Sequence, residues 1–224
     1  MTGFPAETRA FLAGIAADNS KAWFDANRAL YEAGFVAPAK AFVAAIGPRL
    51  KEISPDVQFE PRVNGSISRI NRDIRFSKDK RPYKDHLDLI FWHGDKRSFA
   101  APGFWFRMTA GEVMLGVGCY RFEGEMLDGF RQSIVHPRSG RDLLQVVDEI
   151  KASGDYEIGE KTRKRPPAGF SASGELAEYL LFEGLFVSTV LAPEAAQVSD
   201  FDDLCFEHYR RMWPMGAWIA REIG

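Results

Sequence analysis

Near Val57 the apolar residues of this chain change their spacing, and that change constrains the fold more than any single motif. Before it they recur at helical intervals. Phe11, Leu12 and Ile15 form one short amphipathic set, which ends at Asp18-Asn19-Ser20, residue types that cap a following helix. Trp23, Phe24, Leu30 and Tyr31 share the face of a second helix, expected to stop at Gly34. A third follows Pro38, with Phe42, Ile46, Leu50 and Ile53 in line. Gly47-Pro48 is expected to kink or interrupt it, because proline has no N–H and crowds the preceding turn.

Beyond Val57 the apolar residues alternate or cluster in short runs, over 66–74, 87–93, 104–109 and 113–120, the texture of strands. The last two flank Ala110-Gly111 and read as an antiparallel hairpin. Helical spacing returns with Met126, Leu127, Phe130 and Ile134 up to His136-Pro137, where the histidine suits a C-terminal cap. Leu143, Leu144, Val147 and Ile150 give another helix, closed by Gly154. After a basic loop over 161–167 come a short helix over 176–182 and a strand over 185–191. A last helix starts at Ser199, with Phe201, Leu204, Cys205, Tyr209, Met212, Gly216 and Ile219 inward and Pro214 bending it. Helices, then strands, then helices predict an α+β fold: an antiparallel sheet with N-terminal, central and C-terminal helices packed on it. No repeat or linker composition interrupts the chain, so one α+β domain over 1–224 is expected.

A chain of 224 residues with 46% hydrophobic content builds a core without disulfide or metal staples. Cys119 and Cys205 stand apart among apolar neighbours and read as buried thiols, which suits a reducing compartment. The start, Met1-Thr2-Gly3-Phe4-Pro5 with Glu7 close behind, lacks the basic and long apolar regions of a secretory signal. No run approaches about 18 uninterrupted apolar residues. The expectation is a cytoplasmic chain that does not cross a membrane.

Charge is distributed unevenly. Residues 69–84 hold seven basic and two acidic side chains, and Lys161-Thr162-Arg163-Lys164-Arg165 adds four basic ones. Together the two runs carry a formal +9, so the rest of the chain carries −11 beneath a net charge of −2. A positive patch on an otherwise acidic protein attracts an anion and discourages association elsewhere. Arginine forks grip carboxylate or phosphate oxygens in pairs, and lysines add point charge. The candidate anion-binding residues are Arg69, Arg72, Asp73, Arg75, Lys78, Lys80, Tyr83 and Lys84. If 66–75 is a strand, Arg69, Asn71, Asp73 and Arg75 share one face with Arg72 on the other; Asp73 then orients an arginine, 77–81 turns, and Tyr83 offers a ring or hydroxyl.

The same residues carry a family resemblance. Arg69-x-x-Arg72-Asp73-x-Arg75-Phe76-Ser77-Lys78-Asp79-Lys80-x-Pro82-Tyr83-Lys84 resembles the central motif of the domain-of-unknown-function family numbered twenty-four sixty-one. Asn19-x-x-x-Trp23-Phe24-x-x-Asn27-x-x-x-Tyr31 resembles its first helical motif, and Pro166-Pro167-Ala168-Gly169-Phe170 with Phe186-Val187 its C-terminal pattern. Asn71 stands where the pattern has an aromatic, and Arg81 and Asp85 where it has smaller polar residues. The resemblance covers nearly the whole chain and implies no activity, cofactor or partner.

Other chemistry is sparse. The chain has no phosphate-binding glycine loop and no nucleophile elbow, and Gly116-Val117-Gly118 lies in a strand, where glycine marks a bulge or close packing. His86, Asp88 and His93 lack the spacing of a metal site, so neither metal nor cofactor is expected. His208 is placed at the surface edge of the last helix. The aromatics fall on apolar stripes, and a sequence pI of 6.1 argues against a general nucleic-acid binder. Three readings stay open: a basic pocket for a phosphate- or carboxylate-bearing small molecule, an interaction module for nucleic acid or an acidic protein, and an ion-pair network that is purely structural. Reaction type and oligomeric state are not written in the sequence.

Overall fold

The computed structural model describes residues 3–94, 97 and 101–223. Helix α1 (Ala6–Ala17) buries Phe11, Leu12 and Ile15 as its spacing predicts. Ser20 then caps α2 (Lys21–Ala26), its Oγ accepting from Trp23 N at 3.1 Å. Gly34 does not stop the next segment. A short turn, α3 (Arg28–Leu30), runs through one wide π turn (Tyr31–Val36) into α4 (Ala37–Ile53). Gly34 sits inside the π turn against the backbone of Glu7, and Thr8 Oγ1 donates to the Gly34 carbonyl. The glycine serves a close helix contact, so tertiary packing overrides its helix-ending tendency. Pro48 likewise lies inside α4, which continues because Phe42, Val43, Ile46 and Leu50 bury a stripe on both sides of it.

The strands are β1 (Leu87–Phe91), β2 (Gly103–Met108), β3 (Val113–Cys119), β4 (Glu157–Ile158) and β5 (Leu185–Leu191), in an antiparallel sheet of order β1-β2-β3-β5-β4. The hairpin between β2 and β3 turns at Ala110-Gly111, where Thr109 Oγ1 accepts from both Gly111 N and Glu112 N at 3.1 Å. Strand β4, too short to show in the sequence, pairs Glu157 with Ser188 and Ile158 with Val187 on β5.

Helix α5 (Glu125–Val135) is followed directly by α6 (Pro137–Ser153). His136 ends the first, but its side chain serves the second: Nδ1 accepts from Ser139 N at 3.4 Å. His136 is therefore the expected C-terminal cap of α5, its N–H donating to Gln132 O at 3.0 Å, and the N-terminal cap of α6 as well. Helix α7 (Leu176–Tyr179) is shorter than its apolar run, and α8 (Phe201–Glu222) begins two residues after Ser199. Leu204 faces solvent rather than joining the inner stripe. Together these elements make the α+β fold that the change of spacing predicts.

The chain divides into two compact units, one holding described residues 3–91, 105–115 and 190–207, the other holding the rest. The first unit is centred on Phe4, Phe42, Phe106 and Phe201, whose rings meet at 5.3 to 6.2 Å, with Phe11, Phe24, Tyr31 and Phe35 as a second ring cluster. Each fully buried ring contributes about 1.5–3 kcal/mol. In the second unit Phe104 stacks on Trp213 at 4.8 Å and meets Tyr209 edge-on at 5.3 Å, while Leu143, Val147 and Ile150 bury the inner face of α6. The helical run Arg28–Ile53 is long and apolar enough to cross a bilayer; in this structure its Phe42, Val43, Ile46 and Leu50 face the core of the first unit.

Candidate functional site

Residues 66–74 are not a regular strand. They form one leg of a long hairpin held at separate points: Ile67 opposite Leu89, and Asn71 opposite Tyr83. Ser68 N donates to Asp88 O at 3.0 Å, Lys84 N to Ile70 O at 2.8 Å, and Arg72 N to Pro82 O at 2.9 Å. Between the two bridges one leg advances four residues and the other six. The two extra residues make a bulge around Asp85-His86, and the ladder breaks there. Beyond Arg72 the chain leaves the ladder altogether, so Arg69, Asn71, Asp73 and Arg75 do not form one strand face.

The base of this loop is anchored from α1 and α2. Asn19 Nδ2 donates to Tyr83 O at 3.2 Å and Tyr83 N donates to Asn19 Oδ1 at 3.0 Å. The Tyr83 ring is buried and stacks on Phe24 with centroids 4.4 Å apart. What Tyr83 supplies is packing rather than an exposed ring.

Charge then braces the loop. Arg72, only 24% exposed in its side chain, places Nη1 2.9 Å from Asp79 Oδ2 and donates to Arg81 O at 2.9 Å. Arg81 pairs with Asp79 at 2.9 Å and with Asp85 at 3.3 Å. His86 places Nδ1 2.9 Å from Asp85 Oδ1 and Nε2 3.2 Å from Asp88 Oδ2. Asp88 also takes Lys84 Nζ at 3.2 Å and, from β2, Arg107 Nε at 2.7 Å. The result is a continuous chain of polar contacts: Arg72, Asp79, Arg81, Asp85, His86, Asp88, Arg107. Lys80 Nζ closes the tip on Ile74 O at 3.0 Å.

The electrostatics follow this arrangement. Burial would push the Asp88 carboxyl up, but the hydrogen bonds from His86 and Arg107 outweigh it and hold it well below the usual carboxylate range. Side-chain and backbone hydrogen bonds from Arg81 lower Asp79, and a hydrogen bond from His86 lowers Asp85. His86 Nε2 thus lies within hydrogen-bond distance of Asp88, the residue two places along.

A second group of residues faces outward. Arg69, Arg75, Lys78 and Lys80 are exposed, and Phe76 at the tip is 95% exposed. The Arg75 guanidinium lies 5.8 Å from the Phe76 ring centre and grips Asp73 at 2.6 Å in a solvent-screened surface pair, the kind readily exchanged for another anion. Among the described residues no carboxylate lies within ion-pair distance of Arg69 or Lys78. The sequence reading missed Phe76; its signal was an aromatic residue set inside a run of charge.

The second basic run, in the second unit, is partly spent: Lys161 pairs with Glu178 at 2.9 Å and Arg163 with Glu183 at 3.1 Å. Burial pushes the Cys119 thiol up to about 11 and Cys205 well above its ordinary value, which disfavours either as a nucleophile. His208 is half-buried, its Nδ1 2.9 Å from Tyr156 Oη, rather than at a surface edge.

The comparison with protein families agrees with the motif geometry. Over residues 7–218 the chain matches the family described as conserved hypothetical protein (DUF2461). The chain belongs to DUF2461. No curated protein matches it. In this DUF2461 chain the first helical motif and the central motif meet in space, through Asn19 on Tyr83 and Phe24 on the Tyr83 ring. Arg81 and Asp85 of that motif region pair with each other at 3.3 Å.

Proposed function

We propose that residues 69–84 form a recognition loop that binds an anionic, phosphate- or carboxylate-bearing partner across its outer surface. The observation that carries this reading is the division of labour among the cations. Arg72, Arg81 and Lys84 are committed to Asp79, Asp85 and Asp88, whereas Arg69, Arg75, Lys78 and Lys80 are exposed, Arg75 beside the exposed Phe76. The braced residues hold the tip in one shape, which lowers the ordering cost of binding. The outer residues supply charge and an aromatic face. Exposure favours a ligand lying over the loop over one enclosed in a pocket, and the acidic remainder of the chain favours a local contact. The two separate buried thiols suit a reducing setting, which supports a cytoplasmic place of action.

A thermal-shift screen against non-aromatic phosphate- and carboxylate-bearing compounds, at low and moderate salt, tests the loop with two variants. Arg69→Ala/Phe76→Ser/Lys78→Ala removes outward groups only and is expected to keep its melting temperature while losing any hit. A ligand at one hundred times its Kd stabilises the fold by about 2.7 kcal/mol, a readable shift. Arg72→Ala, by contrast, is expected to lower the melting temperature without ligand, because it removes one of the two arginine partners of Asp79 and leaves Arg81 O without its side-chain donor. Hits retained by the triple variant, or no hit with the wild type at any salt, would overturn the proposal.

A further inference from the structure

The second unit carries a separate concavity. Residues 120–122, 159–163 and 181–186 run side by side: Phe122 N donates to Glu183 O at 2.7 Å, Gly159 N to Phe186 O at 2.8 Å, and Thr162 N and Arg163 N both to Leu181 O at 3.0 Å. On this platform lies a cleft of about 170 Å³ lined by Tyr120, Arg121, Glu160, Thr162, Glu183 and Phe186. A more open depression over Arg163, Lys164, Arg165 and Pro166 shares Thr162 and Glu183 with it, so the two adjoin.

One wall is aromatic. The Tyr120 ring is 71% exposed and leans on Phe186, with centroids 5.9 Å apart. A cavity of ~150 Å³ takes one benzene ring, so the volume here is that of a single ring. The mouth is basic: the two lining sets hold four cations against the carboxylates of Glu160 and Glu183. Arg163 is spent on Glu183, and Arg121 stands 3.6 Å from Glu123 in an exposed pair. Lys164 and Arg165 are exposed, and among the described residues neither has a carboxylate within ion-pair distance. An apolar wall with a few polar groups at one end is the general anatomy of a small-molecule site.

We infer that this cleft binds a small aryl anion, its ring seated against Tyr120 and Phe186 and its phosphate or carboxylate reaching Lys164 and Arg165. The site is independent of the 69–84 loop.

The test is a nitrogen-15 NMR titration of the full chain with phenyl phosphate, alongside inorganic phosphate and phenol. Saturable shifts are expected at 120–122, 160–165 and 183–186, with phenyl phosphate at least tenfold tighter than either fragment. Tyr120→Ala and Lys164→Ala/Arg165→Ala are each expected to weaken it about tenfold while keeping the wild-type melting temperature, since these side chains are exposed. The loop variant Arg69→Ala/Phe76→Ser/Lys78→Ala should bind phenyl phosphate like the wild type, whatever becomes of the loop's own ligand. Absence of saturable shifts at these residues would overturn the inference. So would shifts that inorganic phosphate reproduces and Tyr120→Ala leaves unchanged, the mark of an adventitious ion only.

Discussion

Asn19 and Tyr83, sixty-four residues apart in sequence, are joined by two hydrogen bonds between a side-chain amide and a backbone peptide group, Nδ2 to Tyr83 O at 3.2 Å and Tyr83 N to Oδ1 at 3.0 Å. The amide thus does for the loop what a neighbouring strand would do for a sheet edge. A third bond, Nδ2 to Ile15 O at 3.0 Å, ties the same side chain to the end of α1. An asparagine offers donor and acceptor in one plane, which neither aspartate nor serine reproduces.

Asn19→Ala is expected to destabilise the protein by about 2 kcal/mol, because it leaves Tyr83 N and O without partners at a part-buried site. Asn19→Asp keeps the acceptor and loses the donor, so it should fall between alanine and wild type. Urea denaturation measures both; an alanine variant within about 0.5 kcal/mol of wild type would show that water replaces the amide without cost.

Asp88 gives a pH-dependent prediction. Its side chain is 15% exposed, and its carboxyl is held low in the folded protein by His86 and Arg107 against the opposing effect of burial. A carboxyl held low contributes stability that is fully present above the unfolded value of about 3.9 and is lost as pH falls towards the folded value. Asp88→Asn should therefore cost about 3 kcal/mol at pH 7. Its deficit should shrink by about 1 kcal/mol between pH 5 and pH 3. Denaturation curves for the two proteins at these pH values decide it, and a deficit independent of pH would remove the ionised carboxylate from the account.

Gly118 tests the packing of β3 on β5. Its φ is +132°, and a Cβ built there would lie 2.4 Å from Leu185 O and 2.6 Å from Phe186 Cα. Both contacts are to backbone, which cannot rotate away. Gly118→Ala is expected to cost about 3 kcal/mol or more. Thermal unfolding reads this directly, and a near-neutral variant would mean that the two strands separate readily.

Much of the fold was legible in local pattern. The stripe of Phe11, Leu12 and Ile15, the Ser20 cap, the Ala110-Gly111 turn and the run over β5 each depend on neighbours within a few residues, and each stands where its spacing puts it. Gly34 misled, and Pro48 does not interrupt α4, because propensity is a weak term beside the burial of Phe35, Phe42 and Ile46 around them.

The candidate site shows the same boundary more sharply. Residue type alone shows that positions 69–84 concentrate positive charge on an acidic chain. It could not separate Arg72 from Arg69, or Lys84 from Lys78. Which cations are spent on Asp79, Asp85 and Asp88, and which are exposed as Phe76 is, follows from the folded chain, because an ion pair depends on angstrom-scale distances between residues that the bulge at Asp85-His86 and the Asn19 clamp bring together.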